Sequence, residues 1–242
     1  MTRVISIIVS TLFFCYLLAA SLFFYQRREP GNCKDVIVEV KDSLDKHFVS
    51  ESDILSLLRG AGLNPIKKPL AKVNTDRIET ELLKNEMIAN IEAYKTPSGY
   101  IKLEIRQKMP ILRVIGNYGN FYVDNNGSLM PVSQRYVVHV PIATGNVEKE
   151  LAMTDLYKFA LFLRENDFWN DQIDQIFVHP DGEVELIPRV GDFRIRLGAF
   201  TDFEEKLANL KLFYEQAIPK VGWEKYSLID LKYKNQIVCT KK

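Results

Sequence analysis

The pattern of apolar and polar positions begins with an uncharged segment over residues 4–25. At a rise of about 1.5 Å per residue, a helix of this length would measure about 33 Å, and the hydrocarbon core of a membrane is about 30 Å thick. A cleaved signal peptide is the alternative, although its apolar region usually has only about 7–15 residues. The pattern therefore predicts a transmembrane helix over 4–25, with a head of residues 1–3 before it and a polar linker of residues 26–34 after it.

The basic residues around this segment do not fix its direction. Arg3 precedes the segment, whereas Arg27 and Arg28 follow it, so the positive-inside rule gives an ambiguous answer. Because residues 1–3 are too few to fold, we expect the working part of the protein to lie after the segment.

Residues 35–107 show the patterns of three strands and two helices. Ser50 followed by Asp53 indicates the capped start of the first helix, and Asn74 stands where the second helix begins. The last strand alternates apolar and charged side chains, which is typical of an antiparallel strand with one wet face. The predicted strands are Val36–Val40, Ile88–Tyr94 and Tyr100–Gln107. The β-α-α-β-β order predicts a compact sheet with two helices on one face.

The patterns over residues 108–242 predict a mixed α/β domain with a mostly antiparallel sheet. The segment from Asp124 to Gly127 is a strong turn signal between two short strands, and Thr201 with Glu204 has the spacing of a capping box before a long helix. The predicted elements are a hairpin over Phe121–Met130, a helix over Leu151–Glu165, strands over Ile173–Val178, Glu183–Ile187 and Phe193–Leu197, a helix after Thr201, and strands over Leu228–Tyr233 and Gln236–Thr240.

Charge and composition narrow the classes of function. Lys and Arg number 32 against 31 Asp and Glu, and the two signs are interspersed along the chain. A balanced chain of this kind lacks the basic stripe that neutralises phosphates, so we expect no nucleic-acid partner. Of the three cysteines, Cys15 lies in the apolar segment. Cys33 and Cys239 are expected to be free thiols, and a disulfide between them is the alternative in an oxidising compartment.

Motifs that carry catalysis or metal binding are missing from the sequence. His47, His139 and His179 lack ligand-type spacing, and no HExxH, paired CxxC, GxSxG or GxxxxGK[ST] pattern occurs. Two carboxylates brought together by the fold could still act as a hydrolase pair. We therefore expect a protein that is not an enzyme, uses no cofactor and binds no small-molecule substrate.

The last predicted strand is the most suggestive binding element. A strand at the edge of a sheet leaves backbone N–H and C=O groups that a partner strand can pair with. About five such hydrogen bonds, at roughly 0.5–1.5 kcal/mol net each, would give several kcal/mol before the cost of association. From the residues alone, an edge position and a central, buried position for this strand remain equally open.

Three groups of residues resemble the bacterial cell-division family FtsQ, also called DivIB. The passage from Ile88 to Ile111 is similar to the end of the family's POTRA domain and the start of its second domain. The hairpin Tyr122-Val123-Asp124…Gly127…Met130-Pro131 resembles the opening of the family's β domain. The helix and strands that close the family's β domain are resembled by Lys206-Leu207…Leu210 and by Ile229-Asp230-Leu231-Lys232-Tyr233…Gln236-Ile237-Val238.

The resemblance implies a fold, a location and partners. It implies a POTRA domain over 35–107 and an FtsQ-type β domain over 108–242, in a single-span inner-membrane protein with a cytoplasmic N-terminus and its bulk in the periplasm, at the division septum. It further implies a non-catalytic divisome scaffold that binds the small coiled-coil proteins FtsB/DivIC and FtsL and helps to recruit and regulate septal peptidoglycan synthesis. The residues that it implies in partner binding are Tyr233, Lys234, Gln236, Ile237, Val238, Cys239 and Thr240. A POTRA-type chaperone or recruitment component of outer-membrane assembly or secretion is the alternative.

Overall fold

The computed structural model describes residues 11–21, 31–41, 48–133 and 136–242. These residues belong to two compact units. The first unit contains residues 11–21, 31–41 and 49–106, and the second contains residue 48 together with 107–133 and 136–242.

The described part of the N-terminal segment is a short helix, α1, over residues 11–21. Within the four described ranges, no helix is long and apolar enough to cross a membrane. The predicted fold class, which included a transmembrane helix over 4–25, is therefore corrected for the described residues: a crossing needs about 20 apolar helical residues, and the described helical residues 11–21 are fewer. Residues 4–10 and 22–25 of that prediction, the head 1–3 and the linker residues 26–30 lie outside the described residues.

The first unit contains a three-stranded sheet in the order β1-β3-β2, so the last strand in sequence is central. Strand β1 pairs with β3 in parallel, with Val38 opposite Leu103. The elements are β1 (Val36–Val40), α2 (Glu51–Gly60), a 3-10 turn (Leu70–Lys72), α3 (Thr75–Leu82), β2 (Ile88–Lys95) and β3 (Ile101–Gln107). The observed order is thus β-α-α-β-β.

The two helices of this unit begin at the caps that the sequence predicts. Ser50 accepts from the backbone N–H of Asp53, whose carboxylate accepts from the Ser50 N–H at 3.0 Å, which completes a capping box. The side chain of Asn74 accepts from the N–H of Arg77 at 2.9 Å. Helix α2 buries Ile54 and Leu58, and helix α3 buries Ile78 and Leu82.

The second unit has more elements than the sequence pattern predicts. Its strands are β4 (Pro110–Gly116), β5 (Gly119–Asp124), β6 (Leu129–Pro131), β7 (Ile142–Gly145), β8 (Ile173–Val178), β9 (Val184–Pro188), β10 (Arg194–Gly198), β11 (Tyr226–Asp230) and β12 (Val238–Lys241). Its helices are α4 (Lys149–Met153), α5 (Asp155–Glu165), α6 (Asp167–Gln172), α7 (Phe203–Gln216) and α8 (Ile218–Val221), followed by a 3-10 turn (Trp223–Lys225).

These nine strands form one mixed sheet in the order β12-β11-β10-β9-β8-β7-β4-β5-β6. Strand β7 pairs in parallel with β4 and with β8, and β10 pairs in parallel with β11. The remaining neighbours are antiparallel. The outermost strands of the sheet are therefore β12 on one side and β6 on the other.

One face of this sheet and the helices α5 and α7 form a hydrophobic core. Phe159 of α5 and Leu207 of α7 are fully buried in it, as are Ile176, Leu186 and Ile195 from the central strands. Complete burial of an aliphatic or aromatic side chain contributes about 1.5–3 kcal/mol. The core thus fixes one face of β8, β9 and β10, and the polar residues of these strands occupy the opposite face.

Candidate partner-binding edge

Strand β12 lies at the edge of the nine-stranded sheet. It pairs antiparallel with β11, with Val238 opposite Asp230 and Cys239 opposite Ile229. In the part of the chain that the structure describes, no strand pairs with its other side. Its outward N–H and C=O groups can therefore accept an added strand.

The opposite edge of the sheet is less suited to an added strand. Strand β6 has only three residues and ends in Pro131, which pairs with Phe121. Proline has no backbone N–H to donate. Of the two edges, β12 is the longer and keeps all of its backbone donors.

The side chains of β12 alternate between the core and solvent. Cys239 and the preceding Ile237 are partly buried and pack against the core, whereas Val238 and Thr240 are exposed. Burial raises the pKa of the Cys239 thiol. The strand is therefore fixed to the protein by one row of side chains, and its backbone edge and the other row are accessible.

Hydrogen bonds and ion pairs hold the end of β12. The N–H of Lys242 donates to the carbonyl of Lys225 at 3.2 Å. The Lys242 ammonium lies 3.1 Å from the Asp192 carboxylate and 3.2 Å from that of Glu224. The Ser227 hydroxyl, 3.4 Å from the Thr240 carbonyl, adds a contact from β11. These contacts keep β12 on the sheet while its other edge is open.

A tight loop joins β11 to β12 and displays Tyr233. The N–H of Gln236 donates to the Tyr233 carbonyl at 3.1 Å, and Asn235 adopts a left-handed conformation with φ 58°, which asparagine tolerates better than most residues. The Tyr233 side chain is 56% exposed. At the start of the loop, the ion pair with Glu183 raises the pKa of Lys232.

A cleft of about 150 Å³ separates this loop from the first turns of α7. The Lys206 ammonium in the cleft donates to the carbonyls of Leu197 and Ala199, at 3.0 Å each. Burial lowers the pKa of Lys206. Lys206 thus ties α7 to the end of β10. The cleft is lined by Thr201, Asp202, Glu205, Lys206, Asn209 and residues 231–237.

A row of charged residues crosses the sheet beside β12, on the face opposite the core. Arg196 of β10 lies between Glu185 of β9 and Asp230 of β11 in the register. Its guanidinium is 3.4 Å from the Glu185 carboxylate and 3.5 Å from that of Asp230. The Glu185 side chain is only 5% exposed, and Arg194 also contacts it at 3.2 Å. The row links three strands that lead to the edge.

Histidines, cysteines and carboxylates are the side chains here that could support metal binding or catalysis. Among residues 11–21, 31–41, 48–133 and 136–242, no group of three or more His, Cys, Asp or Glu side chains could hold a metal ion. His139 contacts Arg189 at 2.9 Å, and His179 lies 3.6 Å from Glu185. His47 lies outside the described residues. Cys33 and Cys239 are free thiols.

The residues that the resemblance implied in binding fall into two groups. Val238, Cys239 and Thr240 belong to β12, whereas Tyr233, Lys234 and Gln236 belong to the loop and Ile237 leads into the strand. Sequence reasoning did not select Arg196, Glu185 or Lys206 as site residues, although Lys206 is among the residues that carry the family resemblance. The alternation of charged and apolar residues in β10 was the available signal for Arg196, but its partners lie on strands that are distant in sequence.

Comparison with known proteins places this fold in a family. A model described as "POTRA-like domain" matches residues 31–106, and one described as "FtsQ/DivIB, C-terminal related" matches residues 109–240. The second match covers more than half of the chain, and the chain belongs to the FtsQ/DivIB family. A curated protein of Rhodothermus marinus named "Cell division protein FtsQ" is 30% identical over 157 residues. The match spans 59% of this chain and 56% of that relative.

Proposed function

We propose that this protein acts in bacterial cell division as a non-catalytic scaffold at the division septum. Its family membership and the name of its relative support the process. The free edge of β12 is the observation that supports binding as the mode of action. In this proposal, residues 35–107 form a POTRA domain for recruitment, and residues 108–242 form the domain that captures a partner.

The proposed partners are coiled-coil division proteins of the FtsB/DivIC and FtsL type. One of them would add a strand beside β12, so that backbone hydrogen bonds supply much of the affinity. Two groups of residues would contact the partner. The loop before β12 contributes Tyr233, Lys234, Gln236 and Ile237, and β12 itself contributes Val238, Cys239 and Thr240. The exposed Tyr233 suits a central role, because aromatic side chains dominate many interfaces.

Two proline variants test strand addition. Successive backbone N–H groups of a β-strand point to opposite sides, so Val238→Pro and Cys239→Pro remove donors on opposite sides of β12. One of the two variants removes an N–H that points away from β11. We expect that variant to keep the melting temperature of the unchanged protein but to lose affinity for the FtsB/DivIC-like protein of the same bacterium. Calorimetry measures the affinity. Unchanged affinity in both folded variants would place the pairing elsewhere.

A pair of exposed tyrosines tests the side-chain contribution. Tyr233 is 56% exposed and Tyr118, in the turn between β4 and β5, is 50% exposed. We expect Tyr233→Ala to weaken binding by about 1 kcal/mol or more, as is usual for an interface aromatic. Tyr118→Ala is the matched control and should bind like the unchanged protein.

Truncation after Tyr233 removes β12 and should abolish binding of the partner.

A further inference from the structure

A second surface lies in the first unit, in a groove of about 190 Å³ between the end of α2 and the start of α3. Its walls carry three cationic side chains, and its floor is apolar. The lining residues are Gly62, Leu63, Lys68, Lys72, Val73, Asn74, Arg77 and Ile78.

The three cations of this groove lack carboxylate partners, in contrast to Lys41, Lys84 and Lys102 of the same unit. Lys41 and Lys102 each contact two carboxylates within 3.5 Å. In the described part of the chain, no carboxylate lies within 4.0 Å of the charged groups of Lys68, Lys72 or Arg77. Unpaired cations that share one groove attract an anionic group.

The sequence around the groove is locally basic although the whole chain is balanced. From residue 59 to residue 77 there are five cationic side chains and one acidic one, Asp76. The five are Arg59, Lys67, Lys68, Lys72 and Arg77. Three of these five, Lys68, Lys72 and Arg77, line the groove.

Backbone hydrogen bonds hold the groove's basic wall in place. The Cys33 N–H donates to the Lys68 carbonyl and the Lys67 N–H donates to the Cys33 carbonyl, both at 2.8 Å. The Leu70 N–H donates to the Gly31 carbonyl at 3.2 Å. Because this wall is ordered before any ligand arrives, binding does not have to order the backbone.

The positive charge of the groove comes from side chains and not from the backbone N–H groups at the N-terminus of α3. The Asn74 side chain already accepts the N–H of Arg77 at 2.9 Å, and the Lys68 ammonium makes one contact, a 3.4 Å hydrogen bond to the Gly62 carbonyl. An ammonium has three donors. Lys68 therefore keeps donors for a ligand.

The apolar floor distinguishes a peptide from a simple anion. Val73 is 8% exposed and Ile78 is 1% exposed, and the partly buried Leu63 lies beside them. An inorganic phosphate would use the cations and leave this floor in contact with water. A peptide with an apolar side chain between carboxylates would use both.

We propose that this groove binds an acidic peptide segment of a partner protein. An apolar side chain of that segment packs on the partly buried Leu63 beside Val73, and its flanking carboxylates contact Lys72 and Arg77. The surface is separate from β12 and does not depend on the partner proposed for that strand.

A fluorescein-labelled peptide with the sequence Gly-Glu-Glu-Leu-Glu-Glu-Gly tests the proposal by fluorescence anisotropy with the full chain. The unchanged protein is expected to bind it and to prefer it to the same peptide with glutamines in place of glutamates. Lys72→Glu with Arg77→Glu should reduce the affinity at least about tenfold, because two attractive charge pairs become repulsive. Lys95→Glu with Lys220→Glu changes the net charge equally at other exposed sites and should bind normally.

Several results would overturn the proposal. Equal binding of the glutamine peptide would show a purely apolar groove, and equal loss in the control variant would show a long-range effect of net charge. Binding of phosphatidylglycerol vesicles without binding of the acidic peptide would assign the cations to a lipid surface. Lys72→Gln with Arg77→Gln, checked by circular dichroism, repeats the test with a milder change, and undiminished binding by that folded variant would also contradict it.

Discussion

Arg196 and Asp230 lie directly opposite each other on the parallel strands β10 and β11, and their charged groups are 3.5 Å apart. The same guanidinium contacts the buried carboxylate of Glu185 on β9. The pairing of β11 with the interior of the sheet is therefore supported by charge as well as by backbone hydrogen bonds, and β12 depends on β11 in turn.

We expect Arg196→Met to lower the free energy of unfolding by about 1–3 kcal/mol, because Glu185 and Asp230 lose a charged hydrogen-bond partner in a partly buried position. Lys158→Met is the control, since its ion pair with Asp155 is exposed and such pairs contribute less than about 1 kcal/mol. Urea unfolding of both variants measures the difference. Equal losses would mean that the row of charges is unimportant for stability.

In the first unit, Glu104 should titrate at unusually low pH. Lys102 donates to its carboxylate at 2.8 Å and Tyr94 donates at 2.6 Å, and these hydrogen bonds hold the pKa of Glu104 at about 2. An unfolded glutamate has a pKa of about 4.3. The stabilisation is therefore complete above about pH 4.3 and is lost as the pH falls through the folded pKa of about 2.

Carbon-13 NMR of the carboxyl groups measures this titration directly. Tyr94→Phe removes the second hydrogen bond and should move the midpoint of Glu104 upward, towards its ordinary value. Tyr118→Phe is the control and should leave the midpoint unchanged. A midpoint near that of a free glutamate in the unchanged protein would contradict the predicted network.

Two glycines with similar backbone conformations should respond differently to alanine. Gly145 has φ 88° and Gly182 has φ 85°, so both substitutions cost about 1–2 kcal/mol for the left-handed conformation. A Cβ at Gly145 would also collide with the carbonyl of Val178 on the paired strand β8, whereas Gly182 faces open space. We expect Gly145→Ala to cost about 1–3 kcal/mol more, a typical overpacking penalty. Thermal unfolding measures both, and equal melting temperatures would refute the steric argument.

The Cys239 thiol should report how firmly β12 is held. It is partly buried, its pKa is raised by burial, and the thiolate is the reactive form. In a protein with Cys15→Ser and Cys33→Ser, we expect slow modification at pH 7.5. Lys242→Ala should accelerate it by removing the contacts to Asp192 and Glu224, whereas Lys220→Ala should not. Identical rates in the two variants would show that Lys242 does not hold the strand.

Local signals in the sequence were reliable where neighbouring residues determine the structure. The capping pattern at Ser50, the side chain of Asn74 and the alternation of β3 each involve residues a few positions apart, and the structure confirms all three. The turn from Asp124 to Gly127 is confirmed too, because the Asp124 carboxylate accepts from the backbone N–H groups of Asn126 and Ser128.

The elements that sequence reasoning missed depend on distant partners. Strand β4 is buried on both faces over much of its length and therefore lacks alternation, and β7 has four residues that pair in parallel with β4 and β8. The predicted helix over Leu151–Glu165 is divided at Thr154, whose φ −116° and ψ −98° are not helical. One local signal is wrong as well: the capping box predicted from Thr201 and Glu204 does not form, because Asp202, with φ 54°, precedes α7 and its side chain does not cap the helix.

For the candidate site, the sequence indicated a terminal strand but left its edge position open. The edge follows from the parallel pairing of β10 with β11, which joins strands separated by the whole of α7. The basic groove was overlooked for a different reason: the overall balance of charge concealed a local excess between residues 59 and 77.

The unequal edges of the large sheet limit how it can assemble. An added strand finds open backbone groups along β12, whereas β6 is short and its Pro131 cannot donate. The sheet therefore has one edge, β12, at which another strand can be added. Association through β12, with a partner or with a second copy, should end at a pair and not propagate into a fibre.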